Sequence, residues 1–215
     1  MKFTNAFEGI KKIFIAEILA LIASVCLTIT LAFTALGYVS AKTLSTTGAV
    51  ASLGGMAFFG IISAVIAIIA FVLKIMGVNK ASMDEPAFKI VLYLIIGGIA
   101  VSILGGFIPN NTVKSIFSVI SDVVSLAITI YIIQGIKNLA AKLNNNEMIT
   151  KGDTIYKIII AIYAIIILAR IITLIFNGTA SYVVALVFII IAGILSIVQY
   201  VFYIMYLNKA KQMLA

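Results

Sequence analysis

Six long apolar runs, separated by short polar stretches, organise the whole chain. They fall at about residues 13–36, 54–76, 88–108, 113–136, 156–176 and 182–206. A bilayer core ~30 Å thick is crossed by roughly 20 apolar residues in a helix rising about 1.5 Å per residue. Each run therefore predicts one transmembrane helix. The expected connections are Gly37–Leu53, Gly77–Ala87, Pro109–Thr112, Lys137–Ile155 and Asn177–Ser181. Pro86 and Pro109 are the only prolines, and both fall at helix boundaries, where a missing N–H does least harm. The expected fold class is all-α: a polytopic membrane helix bundle of six transmembrane helices, forming a single domain over residues 1–215.

The first run also invites comparison with a secretory leader, since Lys2, Lys11 and Lys12 precede it and Val39-Ser40-Ala41 offers a small-residue site. A leader's apolar region is about 7–15 residues long, whereas this run is far longer and carries Glu17. Ala23-Ser24-Val25-Cys26 is a poor lipoprotein box, because Val stands where a small residue should precede the cysteine. A retained span is expected.

The basic residues give the expected orientation. Lys2, Lys11, Lys12, Lys74, Lys80, Lys89, Lys137, Lys142, Lys151, Lys157, Lys209 and Lys211 lie on one side, and only Lys42 and Lys114 on the other. Lysine and arginine collect on the cytoplasmic side of membrane proteins. The bias predicts a cell-membrane protein with both termini in the cytoplasm. Tyrosines at helix ends extend the pattern, with Tyr38 and Tyr182 at the outer boundary and Tyr156, Tyr203 and Tyr206 at the inner one.

Composition agrees with lipid as the solvent. Hydrophobic residues make up 64% of the chain and charged ones 10%, against about 45–50% and 25% in soluble domains. The formal charge of +8 is spread as ones and twos beside apolar runs, which fits anionic head groups and not nucleic acid. Ile, Lys and Asn are abundant, Arg occurs once and Trp and His never. That is the bias of an AT-rich coding sequence, and it points to a bacterial source.

An internal repeat is also visible. Lys12-Ile13, Phe88-Lys89-Ile90 and Tyr156-Lys157-Ile158 open the odd-numbered spans. Val78-Asn79-Lys80-Ala81, Gly135-Ile136-Lys137-Asn138 and Leu207-Asn208-Lys209-Ala210 close the even-numbered ones. Two readings stay open: three pseudo-repeated helical hairpins, as in parallel-repeat transporters, or a common preference of inner boundaries for Lys and Asn.

Three ionisable residues lie inside the spans: Glu17, Asp122 and Arg170. Asp122 lies roughly 14 Å into the fourth helix and Arg170 roughly 21 Å into the fifth, which enters from the opposite side. Both fall in the middle third of the core and are expected to pair. Ser115, Ser118, Asp122, Ser125 and Thr129 recur at intervals of three and four, forming one polar stripe. Tyr156, Tyr163, Arg170 and Thr173 make a second on the fifth helix. Intramembrane charge marks a pathway by default; a neutralised pair with serine-rich packing equally describes two docked helices.

Glu17, with Gln134 and Gln199 at similar depth, is a candidate inner mouth, although such a residue more often snorkels to the interface. Two small-residue stripes predict helix packing: Ala16, Ala20, Ser24, Thr28 and Ala32 in the first span, and Gly98, Ser102 and Gly106 in the third.

Reactive chemistry is scarce. The absence of His excludes Ser–His hydrolysis and histidine-bound metals, and no second buried Asp accompanies Asp122 for an aspartyl dyad. No phosphate-binding glycine loop ends in Lys-Ser or Lys-Thr, and Cys26 has no partner for a disulfide or thiolate cage. The chain is expected to be no enzyme and to hold no metal or cofactor. The leading expectation is a transport or permeation component with a polar seam between helices four and five. The alternative is a non-transporting accessory, immunity or scaffold protein that binds another membrane protein. Expected partners are the lipid bilayer, and further copies of the chain or another membrane protein.

Overall fold

The computed structural model describes residues 3–42, 46–107, 109, 111–175 and 179–215 of the chain. Within them, side chains are described for 3–34, 37, 53–107, 109, 113–114, 116–168, 171, 191, 195 and 197–215. These residues form six helices: α1 (Thr4–Lys42), α2 (Thr46–Ala81), α3 (Ala87–Phe107), α4 (Asn111–Lys142), α5 (Asn146–Ile175) and α6 (Thr179–Leu214). Among the described residues, four stretches are long and apolar enough to cross a membrane: Thr4–Thr34, Leu53–Ala81, Ala87–Phe107 and Ile116–Lys142.

Most helices run past the apolar segments that predicted them. The expected connection Lys137–Ile155 shrinks to residues 143–145 between α4 and α5. Apolar length marks the hydrocarbon-facing part of a helix, whereas polar turns beyond it keep their internal hydrogen bonds in water. Three asparagines end one helix and start the next. Asn144 takes the left-handed conformation (φ 56°), and the Asn145 N–H reaches back to the Ala140 carbonyl, closing a Schellman turn. Asn145 then caps α5, its Oδ1 accepting from the Met148 N–H at 3.1 Å.

The chain forms two compact units, residues 11–77 and residues 1–10 with 78–215. In the first, α1 and α2 pack as a hairpin. Ala16 and Ala23 on α1 are buried, as are Ser63, Ala70 and Gly77 on α2. These positions recur every seven residues, the spacing that keeps a seam in register with only about 20° of drift per heptad. The Ser63 hydroxyl donates to the Ala23 carbonyl at 2.9 Å, and Phe33 stacks on Phe59. The four-residue stripe expected on α1 does not follow the seam. Each four-residue step turns about 40° around a helix of 3.6 residues per turn, so Ser24, Thr28 and Ala32 end exposed.

In the second unit α3, α4, α5 and α6 pack in sequence order, each against the next. Its fully buried side chains gather at the lysine-rich helix ends: Phe88, Ile132, Ile136, Leu139, Ile159, Tyr206 and Leu207. Two glycines admit large neighbours there. A Cβ on Gly135 would lie 2.6 Å from the Phe88 ring, and one on Gly152 would lie 2.6 Å from the Tyr206 hydroxyl. Tyr203 and Tyr206, expected at the inner boundary, are buried at the lysine-rich end. Gly152 makes the space that draws the Tyr206 ring inward.

Candidate functional site

Among the described residues, the polar side chains of the second unit form two groups, one at the lysine-rich end and one along α4. The first is built around the α2–α3 connection. Pro86 occupies the first position of α3, where its missing N–H costs nothing, and Glu85 before it caps the helix through the Ala87 N–H. Glu85 is 4% exposed. It also accepts hydrogen bonds from Asn138 Nδ2 at 2.7 Å and Lys142 Nζ at 2.6 Å. Burial alone pushes its carboxyl up; the Lys142 and Asn138 hydrogen bonds, the Lys142 charge and the Ala87 N–H outweigh this and hold it below its ordinary 4.5.

Asp84, its neighbour, caps a different helix. Its Oδ2 accepts from the Ala6 N–H at 2.7 Å and its Oδ1 from Asn5 Nδ2 at 3.1 Å. Amide N–H groups in a helix's first turn lack intrahelical acceptors, so Asp84 supplies α1 with a cap from outside. The Lys142 ammonium lies 5.8 Å above the Phe3 ring, and Glu8 pairs with Lys80. Two adjacent acids thus fasten the start of α1, the start of α3 and the end of α4 together.

Further ion pairs continue along this end. Lys137 pairs with Asp153, and Glu147 with Lys151, with Lys209 at 3.9 Å. In the α1–α2 hairpin, Glu17 is 5% exposed and pairs with Lys74 at 2.7 Å. The buried pair replaces the snorkelling expected of Glu17, because Lys74 on α2 reaches its depth. Of the other candidates for an inner mouth, Gln134 is exposed and donates to Asn138 Oδ1 at 2.8 Å, and Gln199 is buried on α6.

The second group is the stripe on α4. Ser118, Asp122 and Thr129 are half-buried and Ser125 is exposed. The Thr129 hydroxyl donates to the Ser125 carbonyl at 3.1 Å. Across on α5, Tyr163 is half-buried. Ser118, Asp122 and Tyr163 each have a partner. The side chains of Ser115, Arg170 and Thr173 lie outside the described residues, so the expected Asp122–Arg170 pair does too. On α3, Gly98 approaches Val124 of α4 and Gly105 approaches Phe117, whereas Ser102 and Gly106 are exposed.

One regularity escaped the sequence reading. Glu8, Glu85 and Asp153 stand four residues before Lys12, Lys89 and Lys157, in EGIKKI, EPAFKI and DTIYKI. Each pairs with a lysine near the end of an even-numbered helix: Lys80, Lys142 and Lys137 respectively. The signal is present in the sequence as a fixed acid-to-lysine spacing, and all three acids lie outside the apolar runs that mark the helices. Among the described residues no cluster of His, Cys, Asp and Glu could hold a metal ion. No protein-family model, curated protein or solved structure matches the chain, so its side chains carry the whole functional argument.

Proposed function

We propose that the chain is a six-span protein of the cell membrane, with both termini cytoplasmic, that serves transport or permeation through a polar seam between α4 and α5. One observation carries the reading. Of seven acidic residues, six (Glu8, Glu17, Asp84, Glu85, Glu147 and Asp153) are engaged by lysines or by the first turn of α1. Asp122, which has a partner of its own, lies away from the lysine-rich end, ~22 Å along α4 from Lys137 at about 1.5 Å per residue. It lies in an apolar stretch where a carboxylate costs about 2.5–3.5 kcal/mol. The Ser118–Ser125–Thr129 stripe gives it polar company. Arg170 is the proposed counter-charge. The residues offer no nucleophile–base arrangement, so the protein is proposed to be no enzyme.

The test is solute or proton flux in proteoliposomes. Asp122→Asn and Arg170→Ala should each lower flux at least tenfold; no flux in the parent, or full flux in both variants, overturns the reading. Orientation is checked separately by labelling single cysteines at Lys211 and Lys114 in a Cys26→Ser background.

A second reading has its own support. The dry packing of Ile132, Ile136, Leu139, Ile159 and Leu207 at the lysine-rich end suits a static accessory or scaffold protein as well as a pathway closed on that side. A stoichiometric partner crosslinked in native membranes, together with absent flux, would favour it. Within either reading, the acid–lysine register supports an architecture of three repeated hairpins. A boundary preference for Lys and Asn accounts for the lysines but not for an acid four residues before each.

A further inference from the structure

The α3 face that turns away from α4 carries a charge that no acid among the described residues answers. Phe88, Gly98 and Gly105 meet α4; Lys89, Ile90, Tyr93, Ile96, Gly97 and Ala100 are exposed. Lys74, Lys80, Lys137, Lys142 and Lys151 each pair with a carboxylate. Among the described residues Lys89 has no such partner.

Its position specifies the missing anion. α3 has 21 residues, about 31 Å of helix, which matches a ~30 Å hydrocarbon core. Lys89 is in the first turn, so its ammonium reaches the phosphate level on a flexible apolar stem. Tyr93, one turn further and 63% exposed, leans back toward the helix start, as helical side chains do. Its hydroxyl therefore approaches the same level as the ammonium.

Below them the surface changes character. Gly97 has open space around it and Ala100 offers only a methyl, while Ile96 and Ile103 stand on one side and Leu104 at the foot. From Lys89 to Ala100 this trough is ~16 Å long, close to the half-thickness of the core at about 15 Å. A cation above a trough one leaflet deep fits a molecule with an anionic head and an apolar tail. A free phosphate would leave the trough unused.

We propose that this α3 face binds one anionic phospholipid, its phosphate on Lys89 and Tyr93 and an acyl chain along Ile96, Gly97, Ala100 and Leu104. The proposal rests on the membrane reading, which fractionation of the native chain tests separately: recovery outside the membrane would remove that reading before any lipid is titrated. For the site itself, the detergent-purified full chain is titrated with phosphatidylglycerol and with phosphatidylcholine, and bound lipid is counted by native mass spectrometry. Phosphatidylglycerol should bind more tightly. Lys89→Gln should weaken it roughly fivefold, the equivalent of one lysine at an anionic surface, and leave phosphatidylcholine unchanged. Gly97→Leu fills the trough where nothing obstructs the new side chain, and should weaken both lipids alike. Lys151→Gln, which neutralises another lysine at the same end of this unit, should change neither. Equal affinity for the two lipids, equal losses in Lys89→Gln and Lys151→Gln, or displacement of the lipid by inorganic phosphate alone would overturn the proposal.

Discussion

Removing the Glu85 carboxylate is the sharpest test of how the lysine-rich end is held. Three donors converge on it. The bond from Asn138 to a buried carboxylate is worth about 1.5–3 kcal/mol. Lys142 is 44% exposed, so its pairing is screened and contributes about 0–1 kcal/mol. The cap on the Ala87 N–H adds about 1 kcal/mol. Glu85→Ala should therefore cost about 3–5 kcal/mol. Glu85→Gln keeps one acceptor oxygen but turns an amide toward Lys142, and should cost about 1–3 kcal/mol. The assay is unfolding in mixed micelles by rising dodecyl sulfate, followed by helical circular dichroism, with a double-mutant cycle against Asn138→Ala to isolate the buried bond. The pH arm has a definite sign. The folded carboxyl is held below 4.5, so the unfolded chain binds more protons as acid is added. Glu85's contribution is complete above its unfolded value and is lost as pH falls through the lower folded one. Glu85→Gln should flatten that acid-side loss. Unfolding free energies within about 0.5 kcal/mol of the parent for both variants, the range of ordinary surface changes, would refute the reasoning.

Two further perturbations probe packing and charge inside the helices. Gly135→Ala sets a Cβ 2.6 Å from the fully buried Phe88 ring and should destabilise by about 1–3 kcal/mol through overpacking; Gly54→Ala, with nothing within 4 Å, should be neutral or mildly stabilising in the same unfolding assay. Glu17→Gln strands Lys74, whose partial exposure lets it snorkel, so the loss should be about 1–3 kcal/mol. Adding Lys74→Met should restore parental stability, because an uncharged pair needs no partner; a double variant as weak as the single one would count against the pair.

The helices were legible in the sequence because apolar length is a direct consequence of bilayer thickness. Their ends were not, since nothing in apolar counting registers a polar turn such as Asn146–Lys151, held by its own cap and by the Glu147–Lys151 pair. Helix faces were half legible. Small residues do mark the α1–α2 seam, but the seam follows Ala16 and Ala23 opposite Ser63 and Ala70, and a four-residue stripe winds away from it. Glu17 was visible as a charge at depth, yet its partner was not. Lys74 reads in the sequence as a topology signal at the inner boundary, and a lysine stem is long enough to serve either role. The burial of Tyr206 was illegible for a related reason: a tyrosine near a boundary suits the lipid interface equally well, and the space for it comes from Gly152, 54 residues earlier in the chain.

Burial at matched register adds support to the proposed repeat. At the closing ends of α2, α4 and α6, Gly77-Val78, Gly135-Ile136 and Tyr206-Leu207 are all buried, and so are Ala81, Leu139 and Ala210 three residues after each pair's second member. At the opening ends, Ile10, Ala87 and Ile155 are buried two residues after Glu8, Glu85 and Asp153. Lysine and asparagine at a boundary would arise in any membrane protein with this bias, whereas matched burial at matched register is what three repeated hairpins would produce. Asp122 has no counterpart in α2 or α6: the corresponding stretches of the chain carry no acid. If the hairpins are repeats, this costly carboxylate belongs to one copy alone, and flux through the proposed α4–α5 seam is the experiment that asks what it does there.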